Sequence, residues 1–337
     1  MPRRRIDTHS HYLPDFYREA LAANGHKNPD GMPRIPDWSE EDHIKLMEEL
    51  NIEKSFISIS SPGTYLSPAF GKQSVELARR CNEFAADLKR RRPDKFGWFV
   101  TTPLPLVEES LEEIKRAYSD GADGVCLMTN HEGIYLGDSR FDPIFAELDK
   151  RKSKLFIHPT MPCFCPAGSH GAGTDAVVRA NPLKERFAAP AMEFLFDTTR
   201  CIANLFISGT ISRYPNIVYL IPHMGGTMAP LLSRFLGHSR FLNKPDHEKW
   251  EEKDAIAVLN SRFYFDMAGW SFPIMDKCLL DGVGVRKDRL LFGTDYAFVP
   301  AAAAPTFAAL VDGGTEAWDE KDIENAYYNN AKKLFKL

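Results

Sequence analysis

A single closed (β/α)8 TIM barrel is the fold class this sequence predicts, and two observations predict it. Short apolar runs alternate with longer segments of helical period from one end of the 337 residues to the other. That alternation is the signature of parallel βαβ units. The strand-like runs number eight, and a barrel of this type needs eight strands, each followed by a helix.

In chain order the runs are RRRIDTH at 3–9, KSFISIS at 54–60, FGWFVTT at 96–102, ADGVCLM at 122–128, KLFIH at 154–158, NIVYLIP at 216–222, RFYFDM at 262–267 and DRLLFGT at 288–294. Helical patterns fill the intervals. Residues 39–50 begin with Ser39 as a plausible N-cap and carry acids in the first turn, where they favour the helix dipole. Residues 107–118 place Val107, Leu111 and Ile114 on one stripe at helical spacing. Residues 187–208 read as a long apolar helix that Gly209 can terminate in the left-handed conformation.

Two segments break the repeat. Residues 160–186, rich in proline and glycine, read as a long loop after strand 5, and residues 237–261 read as a helical insertion before strand 7. Loops of that length inside a compact domain are usually functional. Loops that follow strands form the active-site face of such a barrel, so the first segment is the better lid candidate. Residues 1–337 are expected to form one domain.

Hydrophobic residues make up 44% and charged residues 26%, with a formal net charge of −4. That balance describes an ordinary soluble globular protein. The basic clusters at Arg3-Arg4-Arg5 and Lys89 to Arg92 have no interleaved aromatics, so nucleic acid is not expected as a partner. No window approaches the ~18–20 apolar residues of a membrane span, and the basic start runs into a strand rather than a signal-peptide core. A cytoplasmic location is expected. Six cysteines are too sparse for a disulfide framework, and the Cys163-Phe164-Cys165 pair lacks zinc-ribbon spacing.

The chemistry gathers at strand ends. Strand 1 ends in His9-Ser10-His11, strand 5 in His158-Pro159, strand 6 in His223-Met224-Gly225-Gly226 and strand 8 in Gly293-Thr294-Asp295. Side chains two apart on a strand point the same way, so His9 and His11 can both aim into the barrel mouth. Imidazoles joined there by a carboxylate make an N/O cluster suited to zinc or manganese. One such histidine alone is more often a satisfied core residue; four converging strand ends favour a metal site.

The combination IDTHSH, FIHP, IPHMGG and FGTDYAF, in this order over essentially the whole chain, resembles the amidohydrolase superfamily. The resemblance is to the decarboxylase branch that includes aminocarboxymuconate semialdehyde decarboxylase and the phenolic acid decarboxylases. It implies one divalent metal per chain, zinc before manganese, held by His9, His11, His158 and Asp295, with His223 as the catalytic histidine. Dinuclear relatives carry a bridging Lys or Glu at the end of strand 4, whereas ADGVCLMTN offers neither. A single metal and carbon–carbon cleavage are therefore expected.

Within the branch, IDTHSHYLPDFYREAL and the run from Pro190 to Gly226 are most similar to fungal 6-methylsalicylate decarboxylases, which implies release of CO2 from a small aromatic acid to leave m-cresol. The resemblance makes Asp295 the leading proton donor to the ring, with His223 its partner or the alternative acid. Arg200 is a candidate for the substrate carboxylate, or an ordinary helix-surface ion pair. Trp98, Phe164, Trp270 and Phe298 are candidates for walls around the ring, and His131 and His170 are isolated histidines of weaker claim. Relatives of this kind imply a homodimer. The competing reading is a mononuclear metal-dependent hydrolase of a lactone or amide, with His223 activating water.

Overall fold

The structure is a computed structural model, and residues 3–164, 178–241 and 247–337 are described. Eight parallel strands hydrogen-bond in sequence order: β1 (Arg5–His11), β2 (Ile52–Ser58), β3 (Phe96–Val100), β4 (Gly124–Met128), β5 (Lys154–His158), β6 (Val218–Ile221), β7 (Phe263–Asp266) and β8 (Leu290–Leu291). Two bridges, Asp7 to Phe292 and Ser10 to Tyr296, bring β8 against β1 and close the barrel. The surrounding helices include α1 (Asp15–Ala23), α2 (Glu40–Glu49), α3 (Gln73–Arg91), α4 (Val107–Ser119), α5 (Asp142–Lys150), α6 (Glu193–Ile207), α7 (Met228–Ser239), α8 (Glu252–Arg262) and α9 (Ala304–Thr315). None is long and apolar enough to cross a membrane.

Strands buried on both faces carry two hydrophobic layers. The inner layer draws Ile6, Phe56, Phe99, Cys126, Met128, Phe156, Leu220, Tyr264 and Leu291 from the eight strands, and Phe335 joins it from the C-terminal helix. The outer layer, between strands and helices, takes the alternate residues, among them Ile57, Trp98, Val125, Leu155, Tyr219 and Phe265. A barrel of eight strands is just wide enough to be filled in this way. Gly97 makes room for one of the inner phenyls, since a Cβ there would meet the Phe56 ring at 2.4 Å.

The helices begin and end where local chemistry puts them. Ser39 caps α2 by accepting from the Asp42 N–H, and Glu40, Glu41 and Asp42 fill the first turn. The long helix starts at Glu193 rather than 187, because Pro190 lacks an N–H and restricts the residue before it; Ala189–Ala191 form a separate 3-10 turn. Gly209, at φ 73°, ends that stretch as expected.

After β5 the chain pairs Cys163–Phe164 with Val178–Arg179 as a short antiparallel ribbon, and 165–177, with His170 and Cys165, lie outside the described residues. The stretch expected as an insertion before strand 7 contains the end of α7 and most of α8.

Candidate active site

The site begins with an irregularity in β1. Asp7 pairs with Ser55 and Ser10 with Ile57, so β1 spends three residues where β2 spends two. An extra residue of this kind is a β-bulge, which re-aims the side chains after it. Ile6 faces the barrel interior, and strict alternation would send His9 and His11 outward. The bulge returns both to the inside. The Asp7 carboxylate holds it, accepting from the His9 N–H at 3.0 Å, the Thr294 N–H at 3.1 Å and the Thr294 hydroxyl at 2.6 Å. Burial pushes this carboxyl up to about 7, against those hydrogen bonds.

Across the closure, β8 reaches the same place. The Thr294 and Asp295 N–H groups both donate to the His9 carbonyl, at 3.2 and 2.8 Å. Gly293 permits the approach, because a Cβ there would lie 2.8 Å from the His9 Cβ. Asp295 itself adopts a left-handed backbone, φ 58°, and His223 another, φ 53°. Non-glycine residues rarely sit there, and such strain clusters at functional sites.

His9, His11, His158 and Asp295 each offer one donor atom, all within 4.8 Å of one another. His9 Nε2 stands 3.2 Å from His11 Nε2 and 3.4 Å from Asp295 Oδ1, and His11 Nε2 is 3.2 Å from that same oxygen. The far side of each ring faces an acceptor: Asp266 Oδ2 lies 3.0 Å from His9 Nδ1, Ser58 Oγ lies 3.1 Å from His11 Nδ1, and the Pro159 carbonyl lies 2.7 Å from His158 Nδ1. Protons on the Nδ1 atoms leave the Nε2 lone pairs to converge on one point, the arrangement of metal-ligating histidines. Converging lone pairs and a buried carboxylate repel one another unless a cation stands between them, so the donor set fits a divalent ion.

The electrostatics agree. Burial opposes a charge on His9, yet Asp266 and Asp295 push its pKa up to about 10. Burial would raise Asp295, yet His9, His11 and His223 hold it well below the usual carboxylate range. A buried carboxylate, Asp266, and a partly exposed one, Asp295, thus demand positive charge at this spot. Burial lowers His158 well below its ordinary value, which keeps it a neutral donor.

His223 differs from these three. Its Nε2 is 3.4 Å from Asp295 Oδ2, and among the described residues its buried Nδ1 has no hydrogen-bond partner and, unlike His9 Nδ1 with Asp266 Oδ2 at 3.0 Å, no carboxylate beside it. No acceptor pins its tautomer. One Asp295 oxygen faces His9 and His11, and the other faces His223.

These groups stand at the wall of a cavity of about 440 Å³. The remaining wall is mostly apolar and comes from loops and the helix starts they lead into: Ala188 to Leu195 at the entry to α6, Ala268 to Met275 after β7, and Phe298 to Phe307 at the entry to α9. Of the aromatics expected at the ring, Trp270 and Phe298 line the cavity. Phe298 packs edge-on to His11, centroids 5.5 Å apart, while Trp270 is 74% exposed at the rim against Phe307. The Phe164 side chain lies outside the described residues.

Two expectations are corrected. Trp98 is fully buried in the outer layer, because the alternation of β3 turns Phe99 inward instead. Arg200 is half exposed on α6, 3.7 Å from Asp197 one turn earlier, and does not line the cavity. Asp197 is also engaged by the hydroxyls of Thr129 and Tyr135 and by Asn130, so that corner ties α6 to the chain after β4. His131 is buried, lining a second cavity of about 200 Å³ that shares Asp30 with the first.

Sequence reasoning missed three supporting residues. Asp266, which backs the His9 ring, ends β7 much as His158 ends β5, a signal present in RFYFDM but hidden by its reading as a plain strand. Asp7 holds the bulge. His43 on α2 accepts from Trp38 Nε1 at 3.1 Å and reaches Ser55 at 3.1 Å, which in turn meets Ser10 at 2.7 Å between the two ligands. Burial pushes His43 down to about 3, so it stays neutral in this chain.

Comparison with known proteins agrees with the geometry. The amidohydrolase family model matches residues 6–337. The decarboxylase yanB of Aspergillus niger is 30% identical over 98% of this chain and 87% of its own length. The 6-methylsalicylic acid decarboxylase acuB of Aspergillus aculeatus is 31% identical over 98% of this chain and 96% of its own. Among solved structures, 5-carboxyvanillate decarboxylase of Novosphingobium aromaticivorans, complexed with manganese and 4-hydroxy-3-methoxy-5-nitrobenzoic acid, superposes with a TM-score of 0.78 at 22% identity, covering 99% of this chain and 96% of that one.

Proposed function

The chain belongs to the amidohydrolase family, and from that premise we propose that it is a metal-dependent, non-oxidative decarboxylase of an ortho-hydroxy aromatic acid. The relatives matched over nearly the whole chain are decarboxylases, and the chain is an enzyme of that class, a carboxy-lyase. We propose 6-methylsalicylate, giving m-cresol and CO2, as one of its substrates, supported by the Aspergillus aculeatus relative. Residues 1–337 act as one domain in this reading, as a cytoplasmic homodimer.

The observation that carries the reading is the division of Asp295. Its Oδ1 joins His9, His11 and His158 as a ligand set, and its Oδ2 faces His223 on the cavity wall. We assign His9, His11, His158 and Asp295 to one divalent ion, zinc or manganese, since the donors suit both. When bound, that ion supplies Lewis-acid neutralisation of the charge on an ortho-hydroxy acid.

The protein's own residues do the rest. A proton enters through His223, which is partly open to the cavity, passes to Asp295 Oδ2, and is delivered from there to the ring carbon that bears the carboxylate. The carbon–carbon bond then breaks, its electron pair stays in the ring, and CO2 leaves. The apolar wall around Phe194 and Phe298 excludes water from the ring. At the inward end of β4 stands Met128, paired with His158, where a bridging ligand would be needed for a second metal. That favours carbon–carbon cleavage over hydrolysis.

The test is CO2 release from a panel of 6-methylsalicylate, 2,3-dihydroxybenzoate and γ-resorcylate, with metal content measured alongside. Turnover of at least one acid with about one metal per chain is expected. Two metals per chain, or hydrolysis of lactones with no CO2 from any acid, would overturn the reading.

A further inference from the structure

Apart from the ligand cluster and His223, the cavity holds one ionisable side chain among its described lining residues, and it is Asp30. The other hydroxyl-bearing liners are Ser60 and Ser271, and Ser271 already donates to the Ala268 carbonyl at 2.8 Å. Among the described residues neither lysine nor arginine lines the space. A carboxylate among Met32, Ala188, Pro190, Phe194 and Phe298 therefore calls for an explanation.

Asp30 is built into place. It occupies a left-handed conformation, φ 53°, in the turn Pro29–Gly31, and Gly31 beside it is also left-handed at φ 80°. A Cβ on Gly31 would touch the Ala188 backbone at 3.5 Å, so this turn is seated against the segment that enters α6. Ser61 acts on the Asp30 carboxylate, and the Ser61 hydroxyl lies 2.7 Å from that of Thr160. The Thr160 N–H donates to Thr129 Oγ1 at 3.2 Å, and Thr129 donates to the buried Asp197. A polar chain thus runs from Ser61, next to Asp30, to Asp197 on α6. Burial raises its pKa to about 6, against Ser61 and Arg179, so at neutral pH it is mainly an acceptor with nothing to donate.

Resting on the decarboxylase reading, we propose that Asp30 is a specificity-determining residue that accepts a hydrogen bond from a second ring hydroxyl. The preferred substrate class is then an alkyl salicylate carrying one further hydroxyl, rather than a ring whose remaining substituents are all apolar. A site that holds a hydrogen-bonding group in an apolar wall discriminates through that group, because a ring without the hydroxyl leaves the carboxylate unpaired. A cavity of about 440 Å³ has room for the larger ring.

The experiment compares 6-methylsalicylate with 2,4-dihydroxy-6-methylbenzoate in the metal-loaded full-length protein, reading the ratio of kcat/KM. The ratio should favour the dihydroxy acid in the parent protein. In Asp30→Leu it should fall by roughly 10- to 100-fold, the worth of a hydrogen bond to a charged group. Asp30→Asn, which keeps a carbonyl acceptor and the same shape, should give an intermediate ratio and guards against a misfolded leucine variant.

A parent ratio at or below one, or a ratio unmoved in both variants, would overturn the proposal. If neither acid is decarboxylated, the reaction reading fails separately. The selectivity is then read from the two acids' dissociation constants on the zinc- or manganese-loaded protein, with the same expected loss in the variants and the same overturning result.

Discussion

The ligand cluster and the wall of the cavity it opens into are built by different means. His9, His11, His158 and Asp266 ride on strands, are almost wholly buried, and have each Nδ1 or carboxylate matched to a partner. Asp295 lies just beyond β8, tied by its N–H to the His9 carbonyl. The wall comes from the turn at Pro29–Gly31, from the loops after β5, β7 and β8 and from the first turns of α6 and α9, and it runs out to an exposed Trp270. Strands fix positions within a packed core; loops vary without disturbing it. The chemistry is thus mounted where the barrel is stiffest, and the choice of ring where it is easiest to change.

If that division holds, damage should differ in kind between the two regions. His158→Ala, in the cluster, is expected to lose the metal and at least about 1,000-fold in kcat, checked by elemental analysis and steady-state rates. Retained metal with near-normal turnover would break the ligand assignment. Asp266→Asn leaves the four ligands in place but removes the charge behind His9, and should cost roughly 10- to 100-fold in metal affinity, measured by competition with a chelator.

On the wall, Phe298→Ala should keep one metal per chain while KM rises about tenfold, from the lost apolar contact. Asp30→Asn bears on stability. The folded-state pKa of Asp30, about 6, lies above its ordinary value, so its contribution to stability is full below about pH 4 and is lost as pH rises through 6. Asparagine carries no such loss. The variant should match the parent near pH 4 and exceed it by about 1–2 kcal/mol at pH 7–8 in thermal or denaturant unfolding. The smallest effect belongs outside both regions: Arg200→Ala should change stability by less than about 1 kcal/mol and leave KM unmoved, as befits a half-exposed pair within one helix.

The barrel was legible because each strand is a short apolar run between helical segments, and the ligands because they end those runs. Where reading faltered, the cause was the two-sided burial of the strands. β3 is buried at every position, so nothing in FGWFV told which of Trp98 and Phe99 faces inward. The same ambiguity concealed the bulge: HSH announces two histidines on one side, but not that alternation from Ile6 would turn that side outward without an extra residue. Asp7, Asp266 and His43 also act through neighbours distant in sequence, as Asp7 does through Thr294. Arg200 was ambiguous from the start, and its partner one turn away decides it.

The closure of β8 on β1 also sets the timing of assembly. His11 and Asp295 are separated by most of the chain, and at synthesis rates of about 5–20 residues per second roughly 15 to 60 seconds pass between their translation. Until then a nascent chain carries three histidines with no carboxylate to complete them. The last seam of the barrel and the donor set are therefore completed together, so that an ion held there would also fasten the first strand to the last.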